Sequence, residues 1–303
     1  MNYYIGVDVG GTKIAIVLSN DDCEIIYKEK FFTKEIFEDN FKIISDIIEK
    51  IQKEFKVSIS SIGISAGGPL DSEKGIFISP THLPSWHGVN IKKLFESKFH
   101  IPTFLENDAN ACALAEYYHG NGRGSKNFAF LTFGTGLGAG LIFDGKLYKG
   151  SNDQAGEIGH VRIAEDGPFC YGKFGSVESY CCGAGISMLH KKLFNEDLSA
   201  KEIFDKAEKE SDIKAIKTVK ISSQKLGLTL SILIDLLALD CIVIGSIYSR
   251  SKEIIDKYMM SVIEEEILPI NRDLCKIKTA FLQENLGDYA AITVAQRGLK
   301  KSE

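Results

Sequence analysis

Phe128-Ala129-Phe130-Leu131-Thr132-Phe133-Gly134-Thr135-Gly136-Leu137-Gly138-Ala139-Gly140-Leu141-Ile142-Phe143 admits two readings, and the choice between them decides the fold. Gly134, Gly136 and Ala139 satisfy the G-x-G-x-x-A form of a dinucleotide-binding turn, and Glu157 lies about where a ribose-binding acid belongs. That turn has to open a helix. Here residues 140–143 read as a returning strand, Asp144-Gly145 is a hairpin signal, and residues 146–148 make a third strand. The glycines therefore turn a β-hairpin, and a dinucleotide-dependent oxidoreductase is excluded on that point.

The start of the chain has the same grammar. Residues 3–9 read as a buried strand, Gly10-Gly11-Thr12-Lys13 turns it, residues 14–18 return, Asn20-Asp21-Asp22 turns again and residues 24–32 make a third strand. The two halves share few letters but the same order of strand, glycine turn, strand, polar turn and strand. A duplicated domain with a cleft between the copies gives that order. The breaker cluster His119-Gly120-Asn121-Gly122-Arg123-Gly124-Ser125 sets the boundary. The expected domains are residues 1–120, with a C-terminal helix 289–303 packing back onto them, and residues 121–288.

Between the halves stands Glu106-Asn107-Asp108-Ala109-Asn110-Ala111, after a short apolar run and before an Ala-rich helical segment. It delivers a carboxylate and two amides to the carboxyl end of a strand, where open α/β sheets bind ligands. Taken alone, Asp108 or Asn107 is better explained as a helix cap. The glycine turns and a second polar cluster favour function. Asp8 precedes the first glycine turn, placed to hold magnesium directly or through water, with Thr12 and Lys13 in reach of phosphate oxygens. Glycine lets backbone N–H groups approach phosphate closely, although the Walker spacing is absent. Glu157, His160 and Glu178, in loops that glycine keeps slim, can hydrogen-bond a polyol.

A net charge of −5, with Lys and Arg scattered, suggests no nucleic-acid partner. The chain opens without a basic and apolar leader, and its longest apolar stretch, residues 226–239, is interrupted by Thr229, Ser231 and Asp235. The expectation is a soluble protein without membrane association. Seven irregularly spaced cysteines fit a reducing cytoplasm better than a disulfide framework.

Asp8-Val9-Gly10-Gly11-Thr12-Lys13, the 106–111 stretch, the 134–140 turn and Gly156-Glu157-Ile158-Gly159-His160 stand in the order and spacing of the ROK family of bacterial sugar kinases and repressors, which the chain resembles over residues 3–299. The resemblance closes with Gly287-Asp288-Tyr289-Ala290-Ala291. It implies a duplicated actin-like, hexokinase-like (ribonuclease H-like) α/β fold of two lobes with ATP and sugar in the interdomain cleft, and a homodimer. Asp108 then looks like the catalytic base. Gly67, Gly68, Asn107, Glu157, His160 and Glu178 match sugar-binding positions. Asp8, Gly10, Gly11, Thr12, Lys13, Gly134, Thr135 and Gly136 match the phosphate loops, and Gly245 a position beside adenosine, with Ser246 where a second glycine is usual. The cofactors implied are ATP and Mg2+. The implied function is an ATP-dependent hexose kinase, glucokinase-like; N-acetylmannosamine kinase is the nearest rival and a sugar-sensing regulator the rival from another class. A regulator of this family carries a helix-turn-helix ahead of the first glycine turn, for which Asp8 leaves no room.

One departure stands out. Most of the family holds a structural zinc with the counterpart of His160 and three cysteines, whose positions are here Phe169, Tyr171 and Ser176, with Cys170 out of register. No structural zinc is expected. Aromatic packing by Phe169, Tyr171 and Phe174 is expected to replace it and to leave His160 free for sugar. His82 stands where the family commonly has Asn in a loop near the sugar.

Overall fold

The computed structural model of the protein describes residues 2–302; Met1 and Glu303, the latter the last residue of the expected final helix, lie outside them. Tyr3–Val9 pairs antiparallel with Lys13–Asn20, which pairs antiparallel with Ile25–Phe32. On its other edge Tyr3–Val9 runs parallel to Ile59–Ala66, and that strand parallel to Thr103–Asn107. The second sheet repeats this plan. Asn127–Phe133, Leu137–Phe143 and Lys146–Tyr148 form the antiparallel meander, and Cys241–Ile244 and then Lys276–Thr279 add in parallel beyond Asn127–Phe133. The two sheets match in strand order and in the sense of every pairing, as a duplicated α/β domain requires.

The chain divides into two compact units, one of Met1–Tyr118, Lys149–Gln154 and Glu284–Glu303, the other of His119–Tyr148 and Ala155–Gln283. In the first unit the final helix, Leu286–Ser302, lies against bare backbone on the sheet. A Cβ on Gly63 would stand 2.2 Å from Ala291 O and Ala295 N, and one on Gly6 would stand 2.9 Å from Ile292 N. Any side chain at either position would push the helix off the sheet. The opposite face is covered by the amphipathic helix Phe37–Phe55, which buries Ile44, Ile47, Ile48 and Ile51. That helix starts at Phe37, where the buried Asn40 side chain bonds the backbone of Lys34 and Ile36 and fixes the entering chain. The strand Ile76–Phe77 is short, since Gly75, at φ 71°, belongs to the turn from Asp71.

In the second unit the apolar run of residues 226–239 is the end of a helix, Ile213–Leu237, that buries Leu226, Leu230, Leu233 and Ile234. Its interrupting hydroxyls are satisfied within the helix, Thr229 by Lys225 O and Ser231 by Gly227 O. Asp235 accepts from Leu268 N and the Asn271 side chain. No helix among the described residues is long and apolar enough to cross a membrane.

Candidate active site

In the first unit, parallel pairing brings three strand ends into register. Asp8 pairs with Ser65 and Ser65 with Glu106; one step on, Val9 pairs with Ala66 and Ala66 with Asn107. The loops that follow, Gly10–Lys13, Gly67-Gly68 and Asp108, thus leave the same edge of the sheet. Asp108 is the first residue of the helix Asp108–His119, is exposed, and accepts from Ala109 N through Oδ1 at 2.8 Å. Asn107 Oδ1 accepts from the same N–H at 3.0 Å. The capping reading is therefore correct, and it leaves Asp108 Oδ2 directed toward Gly67, whose absent Cβ would stand 4.0 Å away. Asn107 Nδ2 lies 3.2 Å from where a Gly68 Cβ would be. Gly67, Gly68, Asn107 and Asp108 thus form one surface, and a side chain at either glycine would intrude on it.

The first glycine turn is closed by Gly10 N–H on Lys13 O at 3.0 Å and tied to Thr33, whose N–H donates to Thr12 O and whose hydroxyl donates to Gly10 O. Gly11, Thr12 and Lys13 are exposed. Gly11 is dictated by His82: a Cβ there would meet His82 Cβ at 2.7 Å. Behind the turn, burial raises the Asp8 carboxyl to about 6, helped by the Asp288 and Asp108 charges and opposed by Lys30 and Lys28. Asp288 is itself buried and paired with Lys28.

Glu106 and Lys149 go unassigned in the sequence reading. Buried Glu106 accepts from Asn107 N (3.0 Å) and Asn110 Nδ2 (3.1 Å) through one oxygen, and its other oxygen pairs with Lys149 Nζ at 2.6 Å. Lys149 also donates to Ser72 Oγ at 2.6 Å, and Ser72 N–H donates to Asp153. Glu106 so braces the residue before Asp108. Its place in the quoted motif was the available signal; its partner, 43 positions on, had none.

In the second unit the turn at Gly134–Gly136 is a hairpin, with Thr132 opposite Gly138 and Phe133 opposite Leu137, so no helix opens there. Gly134 N–H donates to Gly136 O, Gly134 O accepts from Gly183 N–H, and Thr135 is exposed. A Cβ on Gly134 would stand 3.3 Å from Ser246 Oγ, and one on Gly245 3.1 Å from the Phe130 ring. Ser246, at φ 58°, ψ −112°, holds a backbone conformation that suits glycine.

Glu157 and His160 are exposed, their side chains 3.8 Å apart, and Glu178 is half-buried. Glu178 Oε2 accepts from Leu137 N–H at 3.1 Å, and Oε1 accepts from the Tyr171 hydroxyl. The Tyr171 ring stacks on one face of His160, at 4.0 Å and 29°. The three aromatics expected to pack together do not form one cluster. Phe169 and Phe174 pair edge-on at 5.0 Å across a short hairpin while Tyr171 turns to His160, and all three are half exposed.

The nearby thiols are otherwise employed. Cys182 caps the helix Gly183–Phe194 through Gly185 N–H, and Cys181 is buried against Ser222 O. Burial raises the Cys170 thiol, pushes Cys182 up to about 12 and Cys181 well above its usual range, which disfavours thiolate ligands. Among the described residues no group of three or more His, Cys, Asp and Glu side chains is disposed to hold a metal. Purified, dialysed protein is expected to carry less than about 0.1 equivalent of zinc by elemental analysis, since a structural site needs four N or S ligands. About one equivalent per chain would overturn this.

Residues 4–297 match the ROK family, and the chain belongs to it. Among its relatives, a glucokinase of Halalkalibacterium halodurans is 29% identical over 94% of this chain and 92% of its own length. An N-acetylmannosamine kinase of Vibrio cholerae is 34% identical over 80% of this chain and 82% of its own. The crystal structure of a ROK family glucokinase from Streptomyces griseus in complex with glucose and AMPPNP superposes with a TM-score of 0.81, at 26% identity, covering 98% of this chain and 100% of that one.

Proposed function

We propose that the protein is an ATP-dependent hexose kinase of the glucokinase type, transferring the γ-phosphoryl group of ATP to a sugar hydroxymethyl. The observation that carries this reading is the surface formed by Asp108, Asn107 and the bare Gly67-Gly68 backbone, at the same sheet edge as Asp8 and the Gly10–Lys13 turn. Asp108 orients the acceptor hydroxyl and takes its proton as the new O–P bond forms; the bond between the β- and γ-phosphoryl groups breaks and ADP leaves. Phosphoryl transfer has a loose transition state, so positioning and charge neutralisation dominate.

Gly10, Gly11, Thr12 and Lys13 supply contacts to phosphate, as do Gly134, Thr135 and Gly136, with Gly245 beside adenosine. Gly67, Gly68, Asn107, Glu157, His160 and Glu178 bind the sugar. The residues fit a magnesium ion: Asp8 sits among the Asp288 and Asp108 charges, which a cation relieves, and magnesium is commonly held by one or two carboxylates with phosphates and water. Asp8 would hold it, directly or through water, and the ion would neutralise phosphate charge. We place the enzyme in the cytoplasm, where thiols such as its seven free cysteines stay reduced, and as a homodimer.

N-acetylmannosamine kinase is the second reading, favoured by the higher identity to the Vibrio cholerae enzyme. Coupled ADP release across hexoses and N-acylhexosamines, with and without Mg2+, decides between them. Glucose is expected to give the highest kcat/KM; a preference for N-acetylmannosamine replaces the first reading with the second. Sugar binding without ADP release would end both and favour a sensor.

A further inference from the structure

The hairpin of Phe169–Cys170 and Lys173–Phe174 is closed by two residues, Tyr171 and Gly172, both with positive φ, 52° and 74°. Two-residue turns with positive φ at both places call for Asn-Gly, Asp-Gly or Gly-Gly, because a side chain there crowds the backbone. Gly172 obeys that rule and Tyr171 does not. An L-residue held in this region crowds its own backbone, and Tyr171, 50% exposed, recovers little of that cost by burial. A residue kept in a sparsely populated conformation is held there by its surroundings, and such residues gather at functional sites.

What holds Tyr171 is specific. Its ring covers one face of the His160 imidazole, and its hydroxyl donates to Glu178 Oε1, while Glu178 Oε2 is taken by Leu137 N–H. Glu178 also stands against two glycines: a Cβ on Gly159 would be 3.0 Å from Oε2 and one on Gly136 3.4 Å. The carboxylate is thereby fixed from several sides, and the imidazole keeps its edge nitrogens for hydrogen bonds while one face is closed to stacking. We propose that Tyr171 is a positioning residue that sets the His160 ring plane and the Glu178 carboxylate for the acceptor sugar, at the expense of a strained turn. This rests on the reading that His160 and Glu178 face a sugar. A tyrosine serving only the turn would be better replaced by asparagine.

Tyr171→Asn separates the two roles, because it suits the turn and abolishes both contacts. The melting temperature should stay level or rise by a few degrees. The KM for the preferred sugar should rise about tenfold, the scale of a lost hydrogen bond to a charged group, with the KM for ATP within about twofold. Tyr171→Phe, keeping the ring and losing the hydroxyl, should raise the sugar KM by an intermediate factor. An unchanged sugar KM in Tyr171→Asn overturns the proposal. So does a parallel rise in both KM values with a lower melting temperature, which marks a structural role. A wild-type chain that phosphorylates no sugar overturns the functional reading, and the sugar half of this one with it. The positioning half is then read by NMR: the His160 imidazole C–H line, displaced by the Tyr171 ring current, should return toward its free position in Tyr171→Asn, and a line that does not move removes the contact.

Discussion

Asp108→Asn is expected to lower kcat by at least about a hundredfold while the sugar KM stays within a few-fold. The substitution conserves shape, and an asparagine Oδ1 can still accept from Ala109 N–H, the bond that Asp108 makes at 2.8 Å. Asparagine caps helices as well as aspartate does, and position 108 is exposed, so stability should change by less than about 0.5 kcal/mol. What is lost is a group able to take a proton from the acceptor hydroxyl; base catalysis of this kind is worth roughly 10²–10⁴ in rate. A fall in kcat with nearly constant KM is the signature of an interaction made only in the transition state. Steady-state kinetics on the preferred sugar, with the melting temperature as control, make the test. Near-normal turnover would remove Asp108 from the role.

The hairpin at residues 134–136 was legible because a glycine turn followed by a strand pattern and Asp144-Gly145 has no helical alternative. Repetition of that grammar near Gly10 gave the antiparallel three-strand part of both sheets, since antiparallel meanders are local and close through short turns. Asp108 was legible because a carboxylate between an apolar run and an Ala-rich segment marks a strand-to-helix junction. What could not be read is set by contacts distant in sequence. Lys149–Gln154 follows a second-unit strand yet clusters with the first unit, through Lys149 on Glu106 and Asp153 on Ser72. The single aromatic group expected at residues 169, 171 and 174 fails for a related reason. Counting aromatic residues at 169, 171 and 174 suggests one packed group, but cross-strand pairing sets Phe169 on Phe174, while the backbone at 171, with positive φ, turns the tyrosine onto the imidazole.

Asp8→Asn should stabilise the protein while disabling it. The Asp8 carboxyl is raised to about 6 by burial first, then by Asp288 and Asp108, and the space behind it is full: a Cβ on Gly287 would lie 2.3 Å from Asp8 Oδ2. In the unfolded chain an aspartate titrates near 3.9. The folded state therefore holds its proton more tightly, and wild-type stability falls as pH rises from about 4 to 6, then stays lowered. Each tenfold difference in proton affinity between the two states is worth about 1.36 kcal/mol, so the cost at neutral pH is roughly 3 kcal/mol at most. An uncharged amide escapes it. The melting temperature of Asp8→Asn should thus equal that of the wild type near pH 4 and exceed it by several degrees at pH 7.5, with the gap opening between those values. Turnover should fall at least about tenfold and the magnesium requirement rise, because the amide is a poorer partner for a hard cation that favours carboxylate oxygen. A melting-temperature gap independent of pH would show that the carboxylate carries no such penalty; unchanged turnover at limiting magnesium would separate Asp8 from the metal.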